Sequence, residues 1–223
     1  MMDTLTLSLR GLMRPPLRPG VSPETTLVLL HGYGSNELDL MGLAPYLDPR
    51  LRVVSVRAPL TMGMGSYAWF ELSFHETGLT HDSGEAIAAL RRVAGFLDEL
   101  TEHLHSSPDR VILGGFSQGA ALAAAVSLTE PEKVAATVAL SGLLFPEAPG
   151  LEAAPERLTH PFFVAHGTLD PVVPVQEGRK LRDHLAALGV RHEYHEYPMA
   201  HQISDEVLGD LNVWLATRLG TAA

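Results

Sequence analysis

The chain alternates short, continuously apolar runs with longer stretches in which apolar residues recur at every third or fourth position. A short continuous apolar run predicts a strand that is covered on both faces, whereas the longer spacing predicts a helix with one buried side. The predicted strands of the first kind are 25–30, 51–56, 110–115, 134–140 and 161–166, and a more polar strand, 191–197, is expected near an edge of the sheet.

Helical stretches separate these strands. The clearest helix opens with a capping pair, Asp82 and Glu85, and carries one apolar stripe that runs from Ile87 to Leu104. Two further helices are predicted at about 175–188, which stops before Gly189, and at about 204–219.

The alternation of strands and helices predicts the fold class. Such a chain forms an α/β fold, a mostly parallel sheet with helices on both faces. The opening segment, 4–10, alternates polar and apolar residues and is expected to add an edge strand. A length of 223 residues fits a single domain that spans 1–223.

Composition and charge exclude several classes of partner. The net charge is −10, with 26 acidic and 16 basic residues, which argues against binding to nucleic acid or to anionic membranes. No apolar run approaches the roughly 20 residues of a membrane span, and the start lacks the pattern of an export signal. The absence of cysteine excludes disulfides, thiolate catalysis and cysteine-ligated zinc. We therefore expect a cytoplasmic protein that does not insert into membranes.

Three reactive residues each follow a predicted strand. Ser117 follows 110–115, Asp170 follows 161–166, and His201 follows 191–197. The carboxyl ends of parallel strands share one edge of the sheet, where ligands bind in open α/β folds. The chain order Ser, Asp, His is that of α/β-hydrolases. An alternative acid, Asp205, is better explained as part of the cap of the last helix, near Ser204.

These residue types suit nucleophilic catalysis. A serine hydroxyl becomes a strong nucleophile only when an imidazole takes its proton, and a carboxylate fixes the imidazole tautomer. The backbone N–H groups of Gln118 and Tyr33 are the predicted donors to the oxyanion. Gly115 and Gly119 flank Ser117 because a Cβ at either position would collide with a neighbouring strand or helix. A turn that merely contains a serine is the alternative reading.

Apolar side chains near the predicted active edge suggest an acyl pocket. Ordinary packing in the core is an equally good explanation for any one of them. The proposed pocket residues are Met62, Met64, Trp69, Phe70, Leu143, Leu144 and Met199, and Phe145 is in the same group.

The remaining histidines do not form a metal site. His192 and His195 are three apart on a predicted strand and point to opposite faces, so we expect them on the surface. His31 and His166 end buried strands and are expected to hold loops by hydrogen bonds.

Four motifs, LHGYG, GGFSQGA, HGTLDPVVP and MAHQIS, resemble the phospholipase/carboxylesterase family of α/β-hydrolases, which includes acyl-protein thioesterases. The segment SYAWFEL is similar to the tryptophan-bearing loop of that family. The resemblance implies an α/β-hydrolase fold with no large cap domain and activity on esters or thioesters without cofactor or metal. It also implies Ser117, Asp170 and His201 as a triad and Tyr33 and Gln118 as the oxyanion hole. Tyr33 replaces a leucine that is common there.

The resulting prediction is a serine carboxylesterase that hydrolyses small to medium acyl esters through an acyl-enzyme. An acyl thioesterase or a lysophospholipase would use the same site, and a non-catalytic binding protein with a hydrolase fold is a further alternative. The expected partner is a small-molecule ester or thioester. The sequence leaves open whether exposed apolar loops also form a homodimer contact.

Overall fold

A computed structural model describes residues 2–18, 24–75, 78–145 and 159–219 of the chain, and at 74, 75, 78 and 79 it describes the backbone alone. In this part of the chain, eight strands form one sheet in the order β1-β2-β4-β3-β9-β10-β11-β12. Their bounds are β1 (Asp3–Thr6), β2 (Arg10–Arg14), β3 (Thr26–Leu30), β4 (Arg52–Val56), β9 (Val111–Phe116), β10 (Ala136–Leu140), β11 (Phe162–Gly167) and β12 (His192–Tyr197).

The sheet is mostly parallel. Strands β4, β3, β9, β10, β11 and β12 run parallel to one another, and β1 and β2 form an antiparallel hairpin beside β4. Strand β12 lies at one edge and β1 at the other, as the sequence predicts. Every residue of β3, β10 and β11 is buried, which explains why these strands are continuously apolar.

Helices cover both faces of this sheet. The described helices are α1 (Glu37–Met41), α2 (Ser83–His103), α3 (Gln118–Thr129), α4 (Val175–Ala187) and α5 (Asp205–Ala216). Buried residues of α2, α3 and α4 share one core layer, whereas those of α1 and α5 share the other. Strand β3 contributes to both, with Val28 and Leu30 in the first layer and Leu27 and Leu29 in the second.

The helix ends follow the predicted signals. The Asp82 carboxylate accepts a hydrogen bond from the Glu85 N–H at 2.9 Å and caps α2. Gly189, with φ of +69°, follows α4. Ser204 caps α5, and Asp205 is the first residue of that helix. The alternative acid thus belongs to the start of a helix.

Two small hairpins follow β4, and the sequence pattern does not predict them. Their strands are β5 (Leu60–Gly63), β6 (Ser66–Ala68), β7 (Leu72–His75) and β8 (Gly78–His81). The first hairpin is joined to the loop after β3, because Gly34 N–H donates to the Tyr67 carbonyl at 2.9 Å and Tyr67 N–H donates to the Ser35 carbonyl at 2.8 Å.

The described residues build no large cap domain above the sheet. Residues 146–158 lie outside the described part of the chain. None of the helices in the described ranges combines the length and apolar character needed to cross a bilayer.

Candidate active site

Ser117 occupies a strained turn between β9 and α3. Its backbone has φ of 56° and ψ of −119°, a region that non-glycine residues rarely adopt. The Ser117 N–H donates to the Leu140 carbonyl at the end of β10, at 2.9 Å, and so fixes the turn to the neighbouring strand. The turn that carries Ser117 is therefore strained.

The glycines on either side of Ser117 permit this turn. An ideal Cβ on Gly115 would lie 2.3 Å from the carbonyl carbon of Gly119. On Gly119 it would lie 2.0 Å from the carbonyl oxygen of Leu30. Both positions therefore exclude a side chain for steric reasons, and the prediction for these two glycines is confirmed.

Three loops bring Ser117, His201 and Asp170 into a continuous hydrogen-bonded chain. The His201 Nε2 lies 2.9 Å from the Ser117 Oγ, and its Nδ1 lies 2.6 Å from the Asp170 Oδ2. The Asp170 side chain is fully buried, whereas the His201 side chain is 16% exposed. A hydroxyl at an imidazole whose other nitrogen faces a buried carboxylate is an arrangement that activates the hydroxyl as a nucleophile.

Backbone groups hold the Asp170 carboxylate in place. Its Oδ1 accepts hydrogen bonds from the N–H groups of Val172 and Val173 at 2.9 and 2.8 Å. Its Oδ2 is left to accept from His201 Nδ1, which assigns the proton of a neutral His201 to Nδ1 and leaves Nε2 to accept from the serine hydroxyl.

His166 holds the loop that carries Asp170 and Val173. Its Nε2 donates to the Val173 carbonyl at 2.8 Å and lies 3.7 Å from the Asp170 Oδ2. Burial lowers the pKa of His166, so the ring stays neutral at physiological pH. The expectation that His166 holds a loop by a hydrogen bond is confirmed.

His31 shapes the loop after β3. Its Nδ1 donates to the Gly32 carbonyl at 2.8 Å and its Nε2 accepts from the Ala58 N–H at 3.0 Å, as expected for a loop-holding residue. Burial lowers the pKa of this imidazole as well. An ideal Cβ on Gly32 would lie 3.3 Å from the Ser117 Cβ, so the loop that carries Tyr33 runs directly beside the serine.

The apolar residues near this edge differ in burial. Trp69, Phe70 and Met199 are buried, with Trp69 and Phe70 in the core layer of α2 and α3 and Met199 in the opposite layer. The others fall into two groups: Met62 and Met64 are exposed on the first small hairpin, and Leu143 and Leu144 are half-buried against the core. Contact of any of the seven with an acyl group stays a prediction.

His192 and His195 lie on the edge strand β12 and are half-buried, and the His195 side chain is 36% exposed. The His195 ring also stacks on Phe163, with 5.2 Å between the ring centroids. Within the described ranges, no group of three or more histidine and acidic side chains is arranged to hold a metal ion.

The Gln118 side chain forms contacts that the sequence does not reveal. Its Oε1 accepts from the Trp69 N–H at 3.0 Å, and its Nε2 donates to the Phe70 carbonyl at 2.9 Å. The sequence separation is 49 residues for the first contact, so no local periodicity signals it. The signal that the sequence offers is the position of a glutamine directly after the serine.

Comparisons with known sequences all point to one protein family. The sequence profile of a family described as phospholipase/carboxylesterase matches residues 17–219. The chain is 33% identical to acyl-protein thioesterase 1 of Mycosarcoma maydis, over 89% of this chain and 92% of the relative. It is 30% identical to acyl-protein thioesterase 1 of Neurospora crassa, over 94% of each chain.

Solved structures of esterases are also similar to this chain. The crystal structure of esterase PE8 superposes with a TM-score of 0.79 at 30% identity and covers 95% of this chain and 99% of its own. The carboxylesterase of Bacillus cereus superposes with a TM-score of 0.80 at 23% identity, covering 94% of each chain, which shows a shared fold.

Proposed function

The chain belongs to the phospholipase/carboxylesterase family of α/β-hydrolases and is a serine hydrolase of esters or thioesters, and from this premise we propose that it is a carboxylesterase for small to medium acyl esters. Ser117 is the proposed nucleophile, His201 the general base and Asp170 the residue that orients His201. The observation that carries the proposal is the unbroken chain of contacts from Asp170 Oδ2 through His201 to Ser117 Oγ, at 2.6 and 2.9 Å.

In the acylation step, Ser117 Oγ attacks the ester carbonyl while His201 Nε2 takes its proton. The carbonyl oxygen becomes an oxyanion that accepts hydrogen bonds from the backbone N–H groups of Tyr33 and Gln118. Gln118 is the first residue of α3, where the helix dipole also favours negative charge. Collapse of the tetrahedral intermediate breaks the bond to the alcohol, which leaves with the proton from His201. The product of this step is an acyl-Ser117 ester.

Deacylation repeats these steps with water. His201 Nε2 takes a proton from a water molecule, and the hydroxide attacks the acyl-serine carbonyl. The same two amides hold the second oxyanion, and the proton returns to Ser117 Oγ as the carboxylic acid is released. The two backbone hydrogen bonds to its Oδ1 hold the Asp170 carboxylate in the same orientation toward His201 in both steps.

The site edge supports an apolar acyl group of limited size. Met62 and Met64 present exposed apolar side chains on the hairpin that is hydrogen-bonded to the loop of Tyr33. Methionine adapts its shape to chains of different form. No large cap domain among the described residues encloses a long chain. We therefore propose short and medium acyl groups as the preferred substrates.

A thioesterase activity is the second candidate, and the names of the curated relatives favour it. The same triad and oxyanion hole would act on a thioester, with a thiol as the leaving group. Initial rates on a p-nitrophenyl ester, an acyl-coenzyme A thioester and a lysophospholipid separate the alternatives. A higher kcat/KM for the simple ester supports the carboxylesterase proposal, and a higher value for the thioester or lysolipid contradicts it.

We also propose that residues 1–223 form one domain that works in the cytoplasm. The lack of cysteine supports this, because such a chain needs no oxidising compartment to form disulfides.

The central test is the variant Ser117→Ala. We expect turnover of p-nitrophenyl butyrate to fall by at least ~10³-fold, the scale on which triad members act. Ser141→Ala is the matched control. Ser141 also has a positive φ, of 50°, at the end of the neighbouring strand, and its buried Oγ has no hydrogen-bond partner among the described residues. This control should keep its activity.

A fluorophosphonate probe gives an independent readout, because it labels an activated serine without turnover. Labelling of the native protein at Ser117 and loss of labelling in Ser117→Ala are expected. An unlabelled Ser117 in the folded native protein would favour a non-catalytic binding protein.

A further inference from the structure

The side chain of Gln118 is anchored more firmly than a helix-start residue requires. It is 3% exposed, and both of its polar atoms bond to the backbone of the segment before β7, at Trp69 N–H and the Phe70 carbonyl. These two bonds hold the start of α3 to a segment that belongs to neither the sheet nor a helix. Their partners are buried, so an apolar residue at position 118 would leave a donor and an acceptor unpaired.

The indole of Trp69 continues this connection. Its Nε1–H donates to the His31 carbonyl at 2.9 Å, and its ring lies 5.7 Å from the His31 imidazole. His31 is in turn bonded to the Gly32 carbonyl and to the Ala58 N–H. A continuous path of buried hydrogen bonds therefore runs from Gln118, through Trp69, to the loop that carries Tyr33.

This path joins the two segments that carry the proposed oxyanion donors. Gln118 supplies one backbone N–H, and Tyr33, two residues after His31, supplies the other. These elements also approach each other closely, since an ideal Cβ on Gly119 would lie 2.7 Å from the His31 carbonyl oxygen, and the side-chain path adds hydrogen bonds to this backbone packing. We propose that the Gln118 side chain and the Trp69 indole are positioning residues, which set the distance between the two amides. This inference rests on the proposed function.

The physical reason is preorganisation. Donors stabilise a developing oxyanion fully only when they are fixed before the reaction, and removal of one such donor typically lowers kcat by about 10²–10³-fold. Loss of the anchor leaves both amides present but less well placed, so the effect should be smaller. Since the oxyanion exists only in the transition state and the intermediate, the change should fall on kcat rather than on KM.

The test uses Gln118→Met and Trp69→Phe, which keep side-chain bulk and remove the hydrogen bonds. We expect each to lower kcat on p-nitrophenyl butyrate by about 10–100-fold and to change KM by less than about threefold. The inhibition constant of a trifluoromethyl ketone, which forms a tetrahedral oxyanion adduct, should rise by the same factor as kcat/KM falls. The shape of the pH–rate profile should stay unchanged, because His201 and Asp170 are not touched.

A matched control separates positioning from general destabilisation. Thr137→Val removes the buried hydrogen bond between Thr137 Oγ1 and Ser127 Oγ, at 2.6 Å, which ties the other end of α3 to β10. Thr137→Val should lower the free energy of unfolding about as much as Gln118→Met and Trp69→Phe do. It should leave kcat and the ketone inhibition constant within about twofold of the native values.

The outcomes that overturn the proposal are distinct from failure of the esterase assignment. If Trp69→Phe and Gln118→Met keep native kcat and ketone affinity, the two side chains do not position the donors. A fall in kcat with no change in ketone affinity would also overturn the proposal. A native protein without esterase or thioesterase turnover would instead refute the proposed function itself. Because two variants are used, failure of one to fold leaves the other as the test.

Discussion

At the scale of single residues, close approach of backbone decides which side chains the elbow accepts. Gly119 lies so near to β3 that a Cβ would meet the Leu30 carbonyl oxygen at 2.0 Å. The obstacle is backbone inside a sheet, which cannot move aside as the end of a flexible side chain can. Because position 119 has no side chain, α3 packs directly against the sheet next to Ser117.

Gly119→Ala should therefore cost more than an ordinary glycine substitution. We expect a loss of at least ~3 kcal/mol in the free energy of unfolding, within the range of severe overpacking, or failure to fold. Urea unfolding followed by circular dichroism measures the change.

Gly95→Ala is the control for this substitution. Gly95 is an exposed residue inside α2, and nothing lies within 4 Å of its ideal Cβ. Alanine should stabilise this helix by about 0.5–1 kcal/mol, because it costs less backbone entropy than glycine. Equal effects at positions 119 and 95 would contradict the steric explanation.

At the scale of elements, periodicity predicts the elements whose burial is regular. The continuously apolar strands β3, β10 and β11 are buried at each residue, and the stripe of α2 faces one core layer. The hairpin β5–β6 is different. Most of its residues are exposed or half-buried, and it is held by backbone hydrogen bonds to the loop after β3. Backbone bonds leave no mark in the pattern of apolar residues, so the sequence does not reveal this element.

The capping pair of α2 provides a test at this scale. Asp82→Ala removes the acceptor of the Glu85 N–H and should destabilise the protein by about 1 kcal/mol. Asp82→Asn keeps an acceptor oxygen and should stay within about 0.5 kcal/mol of the native protein. The midpoint of urea unfolding, at constant slope, gives both values. An Asn variant as unstable as the Ala variant would show that charge, rather than capping, accounts for the effect.

At the scale of the whole molecule, buried histidines make stability depend on pH. Burial lowers the pKa of His31 and His166 and lowers that of His160 to about 4. The folded state therefore keeps the His160 ring neutral, whereas the unfolded chain takes up a proton near pH 6.5. Between these two pKa values the unfolded state binds more protons, so stability is full above pH 6.5 and falls as the pH decreases toward 4.

His160→Phe should remove one part of this acid sensitivity. His160 stacks on Phe162 at 5.2 Å, so phenylalanine keeps the aromatic contact and does not titrate. Between pH 8 and pH 5, the native protein should lose about 2 kcal/mol more of its unfolding free energy than the variant does. Guanidinium chloride unfolding at both pH values measures this difference. Equal losses in the two proteins would show that His160 does not titrate as proposed.

The sequence by itself determined the succession of the six parallel strands and of helices α2, α4 and α5, the sides that they bury, and the succession of Ser117, Asp170 and His201 at strand ends. Those features are recorded locally, because apolar spacing follows burial and glycine follows backbone crowding. The distances of 2.6 and 2.9 Å at His201, the anchoring of Gln118 to residues 69–70 and the stacking of His195 on Phe163 were decided by tertiary structure. Each depends on how closely remote segments approach in space, which the spacing of residues along the chain does not specify.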